Sequence, residues 1–154
     1  MMPIHFLLVD DERLFIETLA TRLDQRGFRA DCAFSGTEAL MLLEKKDTID
    51  VVVLDVRMPG SDGFEVVQAI KKRYPLVEVI MLTGHATVPS AIAAMKLGAA
   101  DFLIKPCDLD YLLIRAEAAA ARKRGREDEI LRIKTMPYIS DRERDEMIAK
   151  ILAS

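Results

Sequence analysis

Four short apolar runs in this chain each end in a polar side chain, and that arrangement restricts the fold more than any other feature. Ile4 to Val9 runs into Asp10-Asp11-Glu12, Val51 to Leu54 into Asp55, Val79 to Leu82 into Thr83-Gly84, and Phe102 to Ile104 into Lys105-Pro106. Amphipathic stretches of helical length separate them. Strands of a parallel sheet covered on both faces are apolar throughout, and successive strands need a crossover helix. If these runs are parallel strands, their carboxyl ends share one edge, where acids, a hydroxyl and an amine collect.

The intervening segments fit this α/β reading. Arg13 to Arg26 carries Ile16, Leu19, Ala20 and Leu23 at helical spacing and stops at Gly27. Arg29 to Phe34 is a weaker strand, placed at the edge of the sheet, and Ser35 with Glu38 forms a capping-box pattern before a helix with Ala39, Leu40 and Leu43 inward. Val51 to Leu54, the most β-branched run, belongs at the centre. A Met58-Pro59-Gly60-Ser61-Asp62-Gly63 loop then leads to a helix bearing Phe64, Val67 and Ile70, ended by Tyr74-Pro75. Val77 to Leu82 is the fourth strand. Thr87 caps the fourth helix, with Pro89 in its first turn, Ala91, Ile92 and Met95 inward, and Gly98 at its stop. The fifth strand spans about Asp101 to Ile104, and Asp108 caps a last helix with Leu109, Leu112, Leu113 and Ala116 inward.

These five units define a domain over residues 1–122; residues 123–154 read as a helical tail without an independent core. The tail opens with Arg122, Lys123, Arg124 and Arg126, a cluster expected to be solvated beside the helix dipole. Favourable i,i+4 pairs are expected for Asp128–Arg132 and Glu146–Lys150. Ser140 and Glu143 form a second capping box, and Met147, Ile148, Ile151 and Leu152 make a stripe that covers either the domain or a partner. Net charge is −3, so general attraction to nucleic acid is not expected. With no export signal and no apolar run near the ~20 residues of a membrane span, a cytoplasmic protein without membrane contact is expected. Cys32 and Cys107 lack metal-ligand spacing and read as reduced thiols.

Ligands of an open parallel sheet bind beyond the carboxyl ends of its strands. Asp10, Asp11 and Asp55 would meet there and repel one another unless a cation intervened. Oxygen-only donors of this kind suit Mg²⁺. Asp55, on the loop after the central strand, is suited to act as nucleophile on phosphorus, giving an acyl phosphate. Lys105 would pair with the phosphoryl group, the Thr83 hydroxyl would donate a hydrogen bond to it, and Gly84 would leave access open.

From Ile4 to Arg122 the chain resembles the receiver domain of two-component response regulators. The likeness rests on Leu8-Val9-Asp10-Asp11-Glu12, Leu54-Asp55-Val56-Arg57-Met58-Pro59-Gly60 with Asp62-Gly63, Thr83-Gly84-His85, and Gly98-Ala99-Ala100-Asp101-Phe102-Leu103-Ile104-Lys105-Pro106. The resemblance implies a flavodoxin-like, doubly wound, five-stranded parallel sheet of order 2-1-3-4-5. It also implies that Asp55 takes a phosphoryl group from a sensor histidine kinase or phosphotransfer protein. By the same resemblance, Asp10, Asp11, Asp55 and the Arg57 main-chain carbonyl hold Mg²⁺, and Thr83, Gly84 and Lys105 contact the phosphate. Thr83 and Phe102 become the switch pair, with phenylalanine where many relatives carry tyrosine. Pro106 follows a cis peptide bond, and Arg57 and His85 tune the phosphoryl lifetime. A signalling switch limited to self-catalysed phosphorylation and dephosphorylation is expected, not a turnover enzyme. Because only residues 123–154 follow, the expectation is a stand-alone receiver. Its partners would be a downstream protein or a second copy, held through the face of the fourth helix, fifth strand and fifth helix, with no direct DNA binding. The alternatives are a phosphorylation-independent interaction module and an aspartate-nucleophile phosphatase, the latter opposed by Arg57 where a second acid would be needed.

Overall fold

A computed structural model describes residues 2–58 and 61–154. Pro59 and Gly60 of the expected loop lie outside the described residues. Strands β1 (His5–Val9), β2 (Arg29–Ala33), β3 (Val51–Leu54), β6 (Glu78–Thr83) and β7 (Asp101–Ile104) form one parallel sheet. The residue pairs Arg57–Met58 (β4) and Ser61–Asp62 (β5) make a small antiparallel ribbon. The sheet order is β2-β1-β3-β6-β7, which is 2-1-3-4-5 when its own strands alone are counted. The fold is therefore the flavodoxin-like one, with β3 central and the weakly apolar β2 at an edge. Helices α1 (Arg13–Gln25), α2 (Gly36–Lys45), α3 (Gly63–Arg73), α4 (Val88–Lys96), α5 (Leu109–Lys134) and α6 (Asp141–Ala153) complete the chain.

Two cores explain why the strands are apolar throughout. Phe6, Leu8, Val51, Val53, Ile80 and Leu82 point toward α1 and α5. Their neighbours Leu7, Val9, Val52, Leu54, Val79 and Met81 point toward α2 and α3. The inner strands β1, β3 and β6 thus bury both of their faces, while the edge strands β2 and β7 are partly exposed. Gly27 and Gly98 take φ of +85° and +103° at the ends of α1 and α4, where a side chain would be strained.

Several local expectations are corrected. Ala94 is the buried residue of α4, whereas Ile92 and Met95 are about half exposed. Asp108 occupies the N-cap position of α5 but makes no side-chain capping bond. Ser35 accepts from the Glu38 amide, but Glu38 reaches back to the Phe34 amide instead of closing a box on Ser35. Among the described residues the i,i+4 ion pairs formed in the tail are Lys123–Glu127 and Arg142–Glu146, joined by the i,i+3 pair Asp141–Arg144, not Asp128–Arg132 and Glu146–Lys150.

The largest correction concerns the basic cluster, in which Lys123 and Arg126 are buried and Arg124 is half-buried, while Arg122 stays exposed. Helix α5 carries straight through residue 122 and lays these side chains against the amino ends of β3 and β6. Buried Asp50 accepts from Lys123 and Arg124, both at 3.2 Å, and from the His5 amide at 2.9 Å. Glu78, with no exposed area, has Arg122 Nε at 3.4 Å and Arg126 Nη1 at 3.7 Å. Arg126 also donates to the carbonyls of Ile151 and Ser154. This ties the end of α6 to α5, because terminal carbonyls of a helix lack intrahelical donors. Ile148, Ile151 and Leu152 are half-buried and Met147 exposed, so the terminal stripe covers part of its own domain. Among the described residues no helix is long and apolar enough to cross a membrane.

Candidate functional site

Strand register brings the polar residues together. Val9 lies opposite Leu54, Leu54 opposite Met81, and Thr83 opposite Ile104, so Asp10, Asp55 and Lys105 each stand one residue past a paired position. Main-chain bonds hold these ends: the Asp55 amide donates to Val9, that of Asp10 to Ala33, and that of Lys105 to Thr83, all within 3.1 Å. A close approach fixes the loop after Asp55. A Cβ on Gly63 would come within 2.6 Å of the Asp55 carbonyl oxygen and 2.7 Å of Val56, so only glycine lets α3 begin there.

Asp10, Asp11 and Asp55 each offer a carboxylate oxygen within 4.8 Å of the others. Asp10 and Asp55 are buried, while Asp11 faces outward. Asp10 divides its oxygens: Oδ1 accepts from the Glu12 amide at 3.0 Å, opening α1, and Oδ2 accepts from Lys105 Nζ at 2.6 Å. The same ammonium lies 3.6 Å from Glu12, 3.8 Å from Asp55 Oδ2 and 4.2 Å from the centre of the Phe15 ring. Burial would lower the Lys105 ammonium, but the bond and charge of Asp10, backed by Asp55 and Glu12, hold it above the ordinary lysine range.

Asp55 is less well compensated. Its Oδ1 is buried and has no hydrogen-bond partner among the described residues. Burial pushes its carboxyl above the ordinary range and the Asp10 charge adds to that, against the Thr83 hydroxyl, Lys105 and the Arg57 amide, which lower it. The Thr83 hydroxyl is near enough to act on Asp55 by its dipole, yet its geometric partner is the His85 amide, from which it accepts at 3.1 Å. A buried carboxylate oxygen without a donor among the described residues, on a carboxylate that lies near two more, is an incomplete oxygen shell, and oxygen-only donors of this kind fit Mg²⁺.

Thr83 is fully buried, Gly84 is exposed with nothing within 4 Å of where a Cβ would stand, and His85 is exposed. Arg57 points its side chain outward from the short ribbon, with its amide beside Asp55. Phe102 is half-buried against the core on the α3 and α4 side, and the Lys105–Pro106 peptide is cis. Three contributors escaped the sequence reading. Phe15 lies one position off the Ile16 stripe, and Glu12 and Gly63 were quoted within motifs without a role of their own. A glycine right after Asp62, at the first position of a helix, was the available signal for the last.

The comparisons with known proteins agree with this geometry. A family model for the response regulator receiver domain matches residues 6–117. A putative response regulator, NtrX-like, from Rickettsia conorii is 40% identical over 116 residues, covering 74% of this chain and 24% of that protein. The transcriptional regulatory protein GlrR of Escherichia coli is 37% identical over 127 residues, covering 82% and 28% respectively. A receiver domain crystal structure from Clostridium thermocellum has a TM-score of 0.74 at 36% identity and covers 79% of this chain and 97% of its own. The chain thus spans about a quarter of the length of these curated relatives. They overturn one expectation, that of a receiver whose partners are a downstream protein or a second copy and whose output excludes DNA, because relatives such as GlrR are transcriptional regulators. The pocket motifs carry no information about output, which in such relatives belongs to proteins several times longer. Motif, register and pocket converge with these matches, and the chain belongs to the response regulator receiver domains of two-component systems.

Proposed function

We propose that this receiver is a phospho-accepting switch in which an Asp55 carboxylate oxygen takes a phosphoryl group from a phosphohistidine of a sensor kinase. The new bond is O–P, the bond broken is P–N, and the released imidazole nitrogen takes up a proton. The observation that carries this reading is the buried Asp55 Oδ1, without a hydrogen-bond partner among the described residues, on a carboxylate set among two further carboxylates and one ammonium. Asp10, Asp11, Asp55 and the Arg57 carbonyl would hold Mg²⁺, which when bound supplies positive charge beside the phosphoryl oxygens.

The chain's own residues do the rest. Lys105 is already charged and reaches Asp55 with little movement, so it pairs with the phosphoryl group after transfer. Thr83 accepts from His85 N–H, which leaves its hydroxyl proton free to donate to a phosphoryl oxygen. Drawing that hydroxyl inward opens space on the side of half-buried Phe102, and the population of ring positions shifts, altering the surface near α4 and β7. His85 and Arg57, at the mouth, tune how long the acyl phosphate survives water. The domain performs this chemistry on itself and does not turn over a diffusible substrate.

The test is intact-mass analysis after incubation with acetyl phosphate and Mg²⁺. The wild type gains one phosphoryl group, whereas Asp55→Asn and samples with chelator gain none. A labelled Asp55→Asn protein would refute the assignment.

A further inference from the structure

We propose that Phe15 is a positioning residue for Lys105, holding the ammonium on its ring face so that the charge can swing from Asp10 to the phosphorylated Asp55. The proposal rests on the reading of Asp55 as phosphoacceptor and adds to it a residue that no motif assigns.

The Lys105 ammonium sits 4.2 Å from the Phe15 centroid, within the range of a cation–π contact. Its other neighbours are carboxylates: Asp10 at 2.6 Å, Glu12 at 3.6 Å and Asp55 at 3.8 Å. Only 14% of the lysine side chain is exposed, so the ring acts where water screens it weakly. Phe15 is anchored in the first turn of α1, packed against the core, and lines both the small void beside Asp10 and Asp55 and the outer cleft between α1 and α5.

The chemistry of a ring suits this place. A carboxylate in the same position would bind the ammonium in one direction and compete with the phosphoryl group. An aromatic face attracts the cation without fixing the direction of its N–H bonds. The Asp10 bond therefore breaks and the Asp55 phosphoryl bond forms while the cation remains on the ring. The ring also separates the ammonium from the α1–α5 cleft, so the charge is spent on the pocket.

The experiment combines variants with a direct probe of the lysine. Phe15→Leu should slow phosphorylation of Asp55 by acetyl phosphate roughly three- to tenfold, the range of a partly desolvated cation–π contact. Phe15→Tyr, which keeps the ring face, should stay within about twofold of wild type. In a Lys105→Met background, Phe15→Leu should cause no further loss, because the contact is already gone. An equal loss in both backgrounds, or a tyrosine variant as slow as leucine, would show that Phe15 only packs. Independently, NMR of the unphosphorylated full chain should show Lys105 side-chain protons shifted upfield by the ring in wild type and Phe15→Tyr but not in Phe15→Leu. Absence of that shift in wild type overturns the proposal even if Asp55 is phosphorylated normally. Its presence places the ring even if the assignment of Asp55 itself fails.

Discussion

Removing the charge on Asp55 should stabilise the metal-free protein. Asp55 is 4% exposed, its Oδ1 has no donor among the described residues, and the Lys105 ammonium is bonded to Asp10 instead. A buried polar atom left unpaired costs about 1–3 kcal/mol, more when charged, and weak attraction to Lys105 offsets part of this. The Asp55→Asn side chain has the same shape without the charge, so a gain of about 1–2 kcal/mol is expected. For a chain of this length that is roughly 2–8 °C in Tm. The sign with pH follows from the raised carboxyl of Asp55. An acid whose folded pKa lies above its unfolded value favours the fold below the unfolded value and loses that contribution as pH rises through the folded one. The advantage of Asp55→Asn is therefore small below about pH 4 and grows toward neutrality. Thermal unfolding in chelator at several pH values measures it. Millimolar Mg²⁺ should then stabilise the wild type more than Asp55→Asn and raise its Tm further, the linkage for a bound ion being about 2.7 kcal/mol at a hundred times its dissociation constant. A variant less stable than wild type at neutral pH in chelator, or a difference independent of pH, would refute the reasoning.

Two further substitutions test the frame of the site. Gly63→Ala should cost about 1–3 kcal/mol in urea unfolding and slow Asp55 labelling, since its Cβ meets the rigid backbone of residues 55 and 56 at under 3 Å. Unchanged stability would show that α3 can retreat. Asp50→Asn should cost about 1.5–3 kcal/mol, because it removes the buried counter-charge of Lys123, 73 residues away in sequence, and leaves that ammonium with the half-exposed Glu127 as its remaining acid. A loss within about 0.5 kcal/mol would mean that the basic cluster is solvated after all.

What could be read in advance followed the reach of each signal along the chain. The three inner strands announced themselves because both faces of each are buried, and the residue after each strand end needed no three-dimensional knowledge beyond parallel order. Helix α4 was misread because apolar residues surround it: with Val88, Ile92 and Met95 exposed and Ala94 inside, periodicity gave no direction. The Arg122 to Arg126 cluster was misread for a different reason. Its acids, Asp50 and Glu78, lie just before or at the start of apolar strands, and only the continuation of α5 past the domain brings the two together. Within the pocket, side chains that act by charge were visible as residue types, whereas Phe15 and Gly63 act by place, one by the ammonium above it and the other by the backbone beside it.

The most direct test of the central claim is to trap the modified residue. Borohydride reduces an aspartyl phosphate to homoserine, and tandem mass spectrometry of the wild type after acetyl phosphate and Mg²⁺ should find that conversion at residue 55 and at no other aspartate. Homoserine at position 10 or 11, or none anywhere after a mass gain has been recorded, would contradict the account.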